Sequence, residues 1–170
     1  MAVFRVLAVK GEINIARLNA TNLNEVDLSD IESMIETMRK DGDIILLNLH
    51  WGLDYELTPA KNQIKVARKL CDKGVDILIG NHPHVLQPIE LYQNNRGSKS
   101  LIIYSLGNWT TAMRKKCCRI CAPLKLYLTK QGDIINIKAY PFFLDRKKRK
   151  FTKLNGSSLI PLSIGSFAVW

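Results

Sequence analysis

The sequence predicts a mixed α/β fold in which a strand–helix–strand unit is followed by antiparallel strands. Three observations carry this. Asp43-Ile44-Ile45-Leu46-Leu47-Asn48-Leu49 and Val75-Asp76-Ile77-Leu78-Ile79-Gly80 are short, nearly continuous apolar runs, as buried parallel strands are. Between them lies one helix-length segment with a start and a stop: Thr58 as N-cap, Pro59 at the first helical position and Gly74 at the C-cap. Beyond residue 85 the pattern becomes strands separated by turn-rich stretches.

In chain order, Met1–Lys10 reads as a first strand; Arg5 interrupts its apolar stretch, and no cleavage-like segment follows, so it does not read as a signal peptide. Residues 10–27 are polar and Asn-rich and predict a loop. Ser29-Asp30-Ile31-Glu32 fits a capping box, and Ile31, Met34, Ile35 and Met38 follow at core-facing helical spacing to about Lys40. In the second helix Ile64, Ala67, Leu70 and Cys71 form the buried face, with Lys61, Lys65, Arg68 and Lys69 solvated. Leu86–Tyr92 and Lys99–Ser105 flank the turn Gln93-Asn94-Asn95-Arg96-Gly97 as a hairpin, and Leu124–Thr129 and Ile134–Tyr140 flank Lys130-Gln131-Gly132-Asp133 as another. Arg146-Lys147-Lys148-Arg149-Lys150 is a basic cluster, either a solvated segment or a binding surface. Residues 1–154 read as a single domain, and residues 155–170 as a poorly ordered tail.

A chain of 170 residues suits one domain that buries roughly 70% of its unfolded surface. Its net charge of +10 favours anionic partners: nucleic acid, phosphate, acidic polymer or a lipid surface. No run is long enough to span a bilayer, so the chain as given reads as soluble. No helix-turn-helix, zinc-finger or RNA-binding motif supports specific nucleic-acid recognition. Cys118 and Cys121 have C-x-x-C spacing without a second pair to complete a zinc site, Cys71 falls in the predicted helix, and all four cysteines, Cys117 included, read as ordinary thiols.

The three histidines are more informative. His50 follows the first apolar run, and His82 and His84 follow the second in Asn81-His82-Pro83-His84. A right-handed crossover makes these strands parallel and brings their carboxyl ends to one edge, where open α/β sheets bind ligands. Pro83 disfavours a helical His82, so His82 and His84 are expected to be extended and to project to the same side. Neutral imidazoles so placed can hold a divalent cation.

Several ordered motifs then carry a resemblance: His50-Trp51-Gly52-Leu53-Asp54-Tyr55, Pro59, Gln63, Gly74-Val75-Asp76, the stretch from Gly80 to Glu90, and Tyr104-Ser105-Leu106-Gly107-Asn108-Trp109. Over roughly residues 40–110, and more weakly to about 140, the chain resembles the CapA-type poly-γ-glutamate capsule biosynthesis family, which is similar in fold to calcineurin-like metallophosphatases. The resemblance implies an αββα sandwich, here incomplete, with a two-metal centre at strand ends. It implies His50, His82 and His84 as metal ligands for Mn, Zn or Fe, with one ion or none in this chain. Catalytic roles would fall to His50, His84 and Asp54, and substrate contacts to Asn81 and Asn108. Asp54 stands where the family usually has Glu, and Trp109-Thr110-Thr111 replaces the usual aromatic-rich end. The family's amino-terminal ligands are not matched: Lys10-Gly11-Glu12 follows the first strand, and residues 10–40 hold no histidine. The chain therefore resembles the carboxyl-terminal half of a family member, and a partner chain could supply the rest.

Two functions follow. One is a metal-dependent phosphoesterase or related hydrolase, inactive as this chain alone, with Asp54 or Glu56 as supporting acceptors. The other is a non-catalytic module that binds an anionic polymer such as poly-γ-glutamate during synthesis or export, with a cell-envelope location implied by the family.

Overall fold

The structure, a computed structural model, describes residues 15–21, 28–39, 44–129, 132–154 and 167–168. The elements run β1 (Ile15–Thr21), α1 (Leu28–Met38), β2 (Ile44–His50), α2 (Lys61–Lys73), β3 (Ile77–Asn81), β4 (Leu86–Gln93) and β5 (Lys99–Leu106). After a 3-10 turn at Cys117–Arg119 come β6 (Ile120–Cys121), β7 (Leu124–Leu128), β8 (Ile134–Ala139), β9 (Phe142–Asp145), β10 (Lys150–Lys153) and β11 (Phe167–Ala168). Among the described residues the main sheet has the order β1-β2-β3-β5-β4-β11. Strands β1, β2, β3 and β5 are mutually parallel, and β4 is antiparallel to β5. This is the mixed α/β class that the apolar runs predict.

Period-two alternation in the parallel strands builds two cores. Ile45, Leu47, Leu49, Leu78, Ile102 and Tyr104 face the helices, where Ile31 and Ile35 of α1 and Ala67, Leu70 and Cys71 of α2 cover them. Ile44, Leu46, Ile77, Ile79, Leu101 and Ile103 face the other way and are covered by Ile137 and Ala139 of β8 with partly buried β7 residues. The result is a helical layer, a sheet and the β7–β8 hairpin. These are three of the four layers of the sandwich implied by the resemblance.

Local readings hold where the signal is intrinsic to the segment and shift where tertiary contacts compete. Gly74 ends α2 at φ 133°, and the N–H groups of Gly74 and Val75 return to the carbonyls of Cys71 and Leu70 (both 3.1 Å). The helix begins two residues after the expected first position, because Gln63 accepts the Ala60 N–H at 3.3 Å. At the expected Ser29–Glu32 capping box, α1 starts one residue earlier, at Leu28, and the Glu32 carboxylate pairs with Lys69 (2.6 Å) and Lys73 (3.1 Å) of α2. Those two ammonium groups hold the Glu32 carboxyl below its usual range. Met34, expected in the core, is 48% exposed. The expected loop of residues 10–27 contains β1, whose backbone pairs with β2 from Ile15↔Ile44 to Thr21↔His50; the sheet edge supplies partners that the polar local sequence does not advertise. The expected first strand, Met1–Lys10, lies outside the described residues. So does most of the tail expected at 155–170, of which Phe167–Ala168 pair with Glu90 and Ile89 of β4.

Two ionic knots lock the layers. At the start of β3, Asp76 accepts from Arg39, from the Ile45 N–H (2.8 Å) and from Arg96 (3.4 Å). Between α2 and the sheet, the fully buried Glu90 takes two hydrogen bonds from Arg68 (2.9 and 2.7 Å) and one from the Tyr104 hydroxyl (2.7 Å). Glu90 in turn keeps the Arg68 guanidinium above its usual pKa, whereas burial is the main cause of the upward shift at Tyr104. Removing one member of such a network strands the others. Glu90→Ala is expected to cost about 3 kcal/mol and Tyr104→Phe about 1 kcal/mol, measured as the change in urea unfolding midpoint at constant slope.

Candidate metal centre

The parallel strands end together. In register, Thr21, His50 and Asn81 are neighbours across β1, β2 and β3, and β5 runs on into Gly107-Asn108 at the same edge. The topology thus gathers the histidine turns where the sequence predicts them. The His50 and His82 rings lie 4.7 Å apart between centroids, and those of His82 and His84 5.8 Å apart.

How His82 and His84 share a side differs from the expectation. Neither is extended: His82 has φ 100° and His84 φ 62°, left-handed conformations on both sides of Pro83. Such values in non-glycine residues are strained and persist only where the surroundings impose them. Here the Pro83 carbonyl accepts the Tyr55 N–H at 2.8 Å, and Tyr55 is itself left-handed at φ 68°. The turn after β2 and the turn after β3 are therefore stitched together at their tips.

The stitching delivers Asp54 to the histidines. One carboxylate oxygen, Asp54 Oδ1, lies 3.5 Å from His82 Nε2 and 3.8 Å from His84 Nε2. Among the described residues, Asp54, His82 and His84 form the group whose ligand atoms all lie within 4.8 Å of one another. His50 stands outside this group, packed against His82, and is exposed. Partial desolvation, then the neighbouring His82 and His84, lower its pKa. Glu56 contributes its backbone carbonyl, which accepts from Gln87, and its carboxylate is not in the group. Asn81 contributes its backbone carbonyl to the Trp51 N–H at 2.9 Å.

Asn108 fixes the chemistry of His84. Its Nδ2 faces two carbonyl oxygens, of His84 (3.1 Å) and Cys118 (3.0 Å), so that atom must be the donor. Its Oδ1 is then the acceptor 2.8 Å from His84 Nδ1, which must carry the proton. A neutral His84 consequently turns a bare Nε2 lone pair toward the Asp54 carboxylate. Lone pair facing lone pair is an arrangement that a cation relieves, and one carboxylate with two imidazoles is a donor set that zinc and manganese accept.

A second layer holds the Asp54 loop. Buried Gln87 donates to the Glu56 carbonyl (2.9 Å) and accepts from buried Gln63 (3.4 Å). Trp51 is buried, stacks on Tyr104 (6.0 Å between centroids, 7° between planes), and donates its indole N–H to the Tyr104 carbonyl at 3.2 Å. Sequence reasoning quotes Gln63 and Gln87 only within a motif; a glutamine in an apolar strand is the signal that marks Gln87 as a buried partner. The cysteine thiols are not among the clustered ligand atoms, although the Cys118 carbonyl helps orient Asn108. Cys71, Cys118 and Cys121 are buried free thiols, with burial pushing Cys121 up to about 11 and raising the other two as well.

A family model described as bacterial capsule synthesis protein PGA_cap matches residues 7–112. The chain is 35% identical to the PGA biosynthesis protein CapA of Bacillus subtilis over 124 residues, which are 73% of this chain and 31% of that protein. It is 35% identical to the capsule biosynthesis protein CapA of Bacillus anthracis over 85 residues, 50% of this chain and 20% of that protein. A probable polyglutamine synthesis accessory protein of Mycobacterium tuberculosis is 30% identical over 79 residues, 46% of this chain and 20% of its own length. The chain thus spans a third or less of the length of these curated relatives.

The approach of Trp51 to β5 depends on Gly80. A Cβ there would lie 2.0 Å from the Tyr104 carbonyl oxygen and 2.2 Å from the Trp51 indole nitrogen. Gly80→Ala is expected to expel the indole and destabilise the fold by about 3 kcal/mol. The checks are chemical denaturation and a red shift in the fluorescence of the buried tryptophan.

Proposed function

The chain belongs to the bacterial capsule synthesis protein family PGA_cap, and from that premise we propose that it serves capsule or poly-γ-glutamate biosynthesis through a metallophosphatase-like domain holding a divalent cation at Asp54, His82 and His84. The observation that carries the cation is the Asn108–His84 hydrogen bond, which assigns the proton of a neutral His84 to Nδ1 and turns its Nε2 lone pair toward Asp54. His50, beside His82, is the candidate ligand for a second position. A bound divalent ion there would supply Lewis-acid polarisation of a phosphoryl or acyl oxygen. This chain's own residues fix the donor atoms: Asn108 orients His84, the Tyr55–Pro83 bond sets the turn, and Gln63 with Gln87 hold the Asp54 loop.

Catalysis by this chain alone is proposed to be weak or absent, because among the described residues one carboxylate and three imidazoles leave the charge of two divalent ions poorly offset. A partner segment or chain would supply the remaining acidic ligands. The substrate side rests on charge. The net +10 and the basic residues at the tip of the β9–β10 hairpin, Arg146–Lys150, suit a polycarboxylate held largely by electrostatics. Among the described residues no helix is long and apolar enough to cross a membrane, and a place at the cell envelope is proposed from the relatives' roles in capsule synthesis.

Titration with zinc or manganese should find one ion per chain. Asp54→Ala and His82→Ala should abolish measurable retention, and Asn108→Ala should weaken it about tenfold by freeing the His84 tautomer. Retention should fall in acid, where protons compete with the ion for its ligands. Two tightly held ions, with phosphodiester turnover lost in His84→Ala, would overturn the incomplete-site reading. Separately, retention on immobilised polyglutamate should decline steeply with salt and with neutralisation of Arg146–Lys150; binding indifferent to both would remove the polymer from the proposal.

A further inference from the structure

Lys115 lies in the segment between β5 and the Cys117–Arg119 turn, with its ammonium 3.6 Å from the centroid of the Tyr55 ring. That ring is 6.4 Å from the His84 ring, and the Tyr55 backbone is pinned to Pro83. The cation–π contact therefore parks a positive charge at the border of the Asp54–His82–His84 group. Its place over a ring that neighbours His84 distinguishes this charge from the basic residues engaged elsewhere. Lys69 and Lys73 share Glu32, Arg39 and Arg96 share Asp76, and Arg68 is matched by Glu90. Among the described residues Lys115 has no ion pair, and it is exposed.

A fixed ammonium beside a cluster suited to a divalent cation is repelled by that cation unless an anion lies between them. The ring covers one side of the ammonium, and its N–H donors on the other sides stay available. Supporting charge converges on the same place: Arg114 and Lys116 flank it, and Arg146 reaches from the hairpin tip to the Met113 carbonyl at 3.5 Å. Two basic segments more than thirty positions apart in sequence thus meet at Met113, two residues before Lys115.

We propose that Lys115, held over Tyr55, is the residue that receives a substrate carboxylate and sets it against the Asp54–His82–His84 centre. The inference rests on the polymer reading above and adds a specific point of attachment to a surface otherwise described only by its charge. Neighbouring basic residues draw the chain in, and Lys115 fixes one carboxylate in register with the centre.

Lys125 provides a matched control. Its ammonium also sits over a tyrosine ring, that of Tyr127 at 4.9 Å, but on the β7–β8 hairpin. The zinc-loaded protein is titrated calorimetrically at low salt with a short γ-linked glutamate oligomer, with zinc content and circular dichroism checked for every variant. Lys115→Met is expected to weaken binding about tenfold, Lys125→Met less than twofold, and Lys115→Arg to retain most of the affinity, with zinc content equal throughout. Equal losses in Lys115→Met and Lys125→Met would overturn the inference while leaving charge-based polymer binding intact. Failure of the unmodified protein to bind the oligomer would overturn the polymer reading and this inference with it.

Discussion

Trp51 can reach across to the carbonyl of Tyr104 only because the strand between them carries glycine at position 80. Much of the chemical edge depends on that crossing. The indole anchors the start of the turn that carries Asp54, and its backbone N–H binds the Asn81 carbonyl just before the His-Pro-His turn. The same residue is buried against Tyr104, whose hydroxyl ends on Glu90. One close approach therefore links the turn after β2, the end of β3 and the middle of β5.

From that anchor the centre is assembled by donors and acceptors whose identities are forced. Two carbonyls dictate the orientation of the Asn108 amide, the amide dictates the tautomer of His84, and the tautomer decides which ring nitrogen faces Asp54. The ligand atoms lie 3.5 and 3.8 Å from a shared carboxylate oxygen without any hydrogen bond between side chains of the group being needed to explain their approach. Backbone contacts place them, through the Tyr55–Pro83 bond and the left-handed His82 and His84. Strain of this kind is commonly stored where a site must be ready before its ligand arrives.

Strands β2 and β3, the capped end of α2 and both hairpins were legible because each signal is contained in its own segment: a buried apolar run, a C-terminal glycine, a turn-rich interval. The gathering of the histidines was legible from topology, since parallel strands joined by one helix must end on the same edge. Strand β1 was hidden because its stability comes from β2 rather than from its own pattern. The Ser-x-x-Glu signal placed the helix start one residue late and did not reveal that Glu32 pairs with Lys69 and Lys73 of the next helix, a contact between distant segments. Pro83 excludes a helical His82 but does not choose between extended and left-handed backbone, and the choice was made by Tyr55 from another turn. The pairing of Lys115 with Tyr55 crosses sixty positions and leaves no local trace.

Asp76 sits at the opposite end of β3 from the histidines, binding Arg39, Arg96 and the backbone of β2. That placement divides labour along a single strand. The clamp that keeps the layers registered shares no side chain with the cluster at the far end, so residues of the rim can change identity without loosening it. A family built on such a strand can explore new specificities at one pole while the other preserves the architecture.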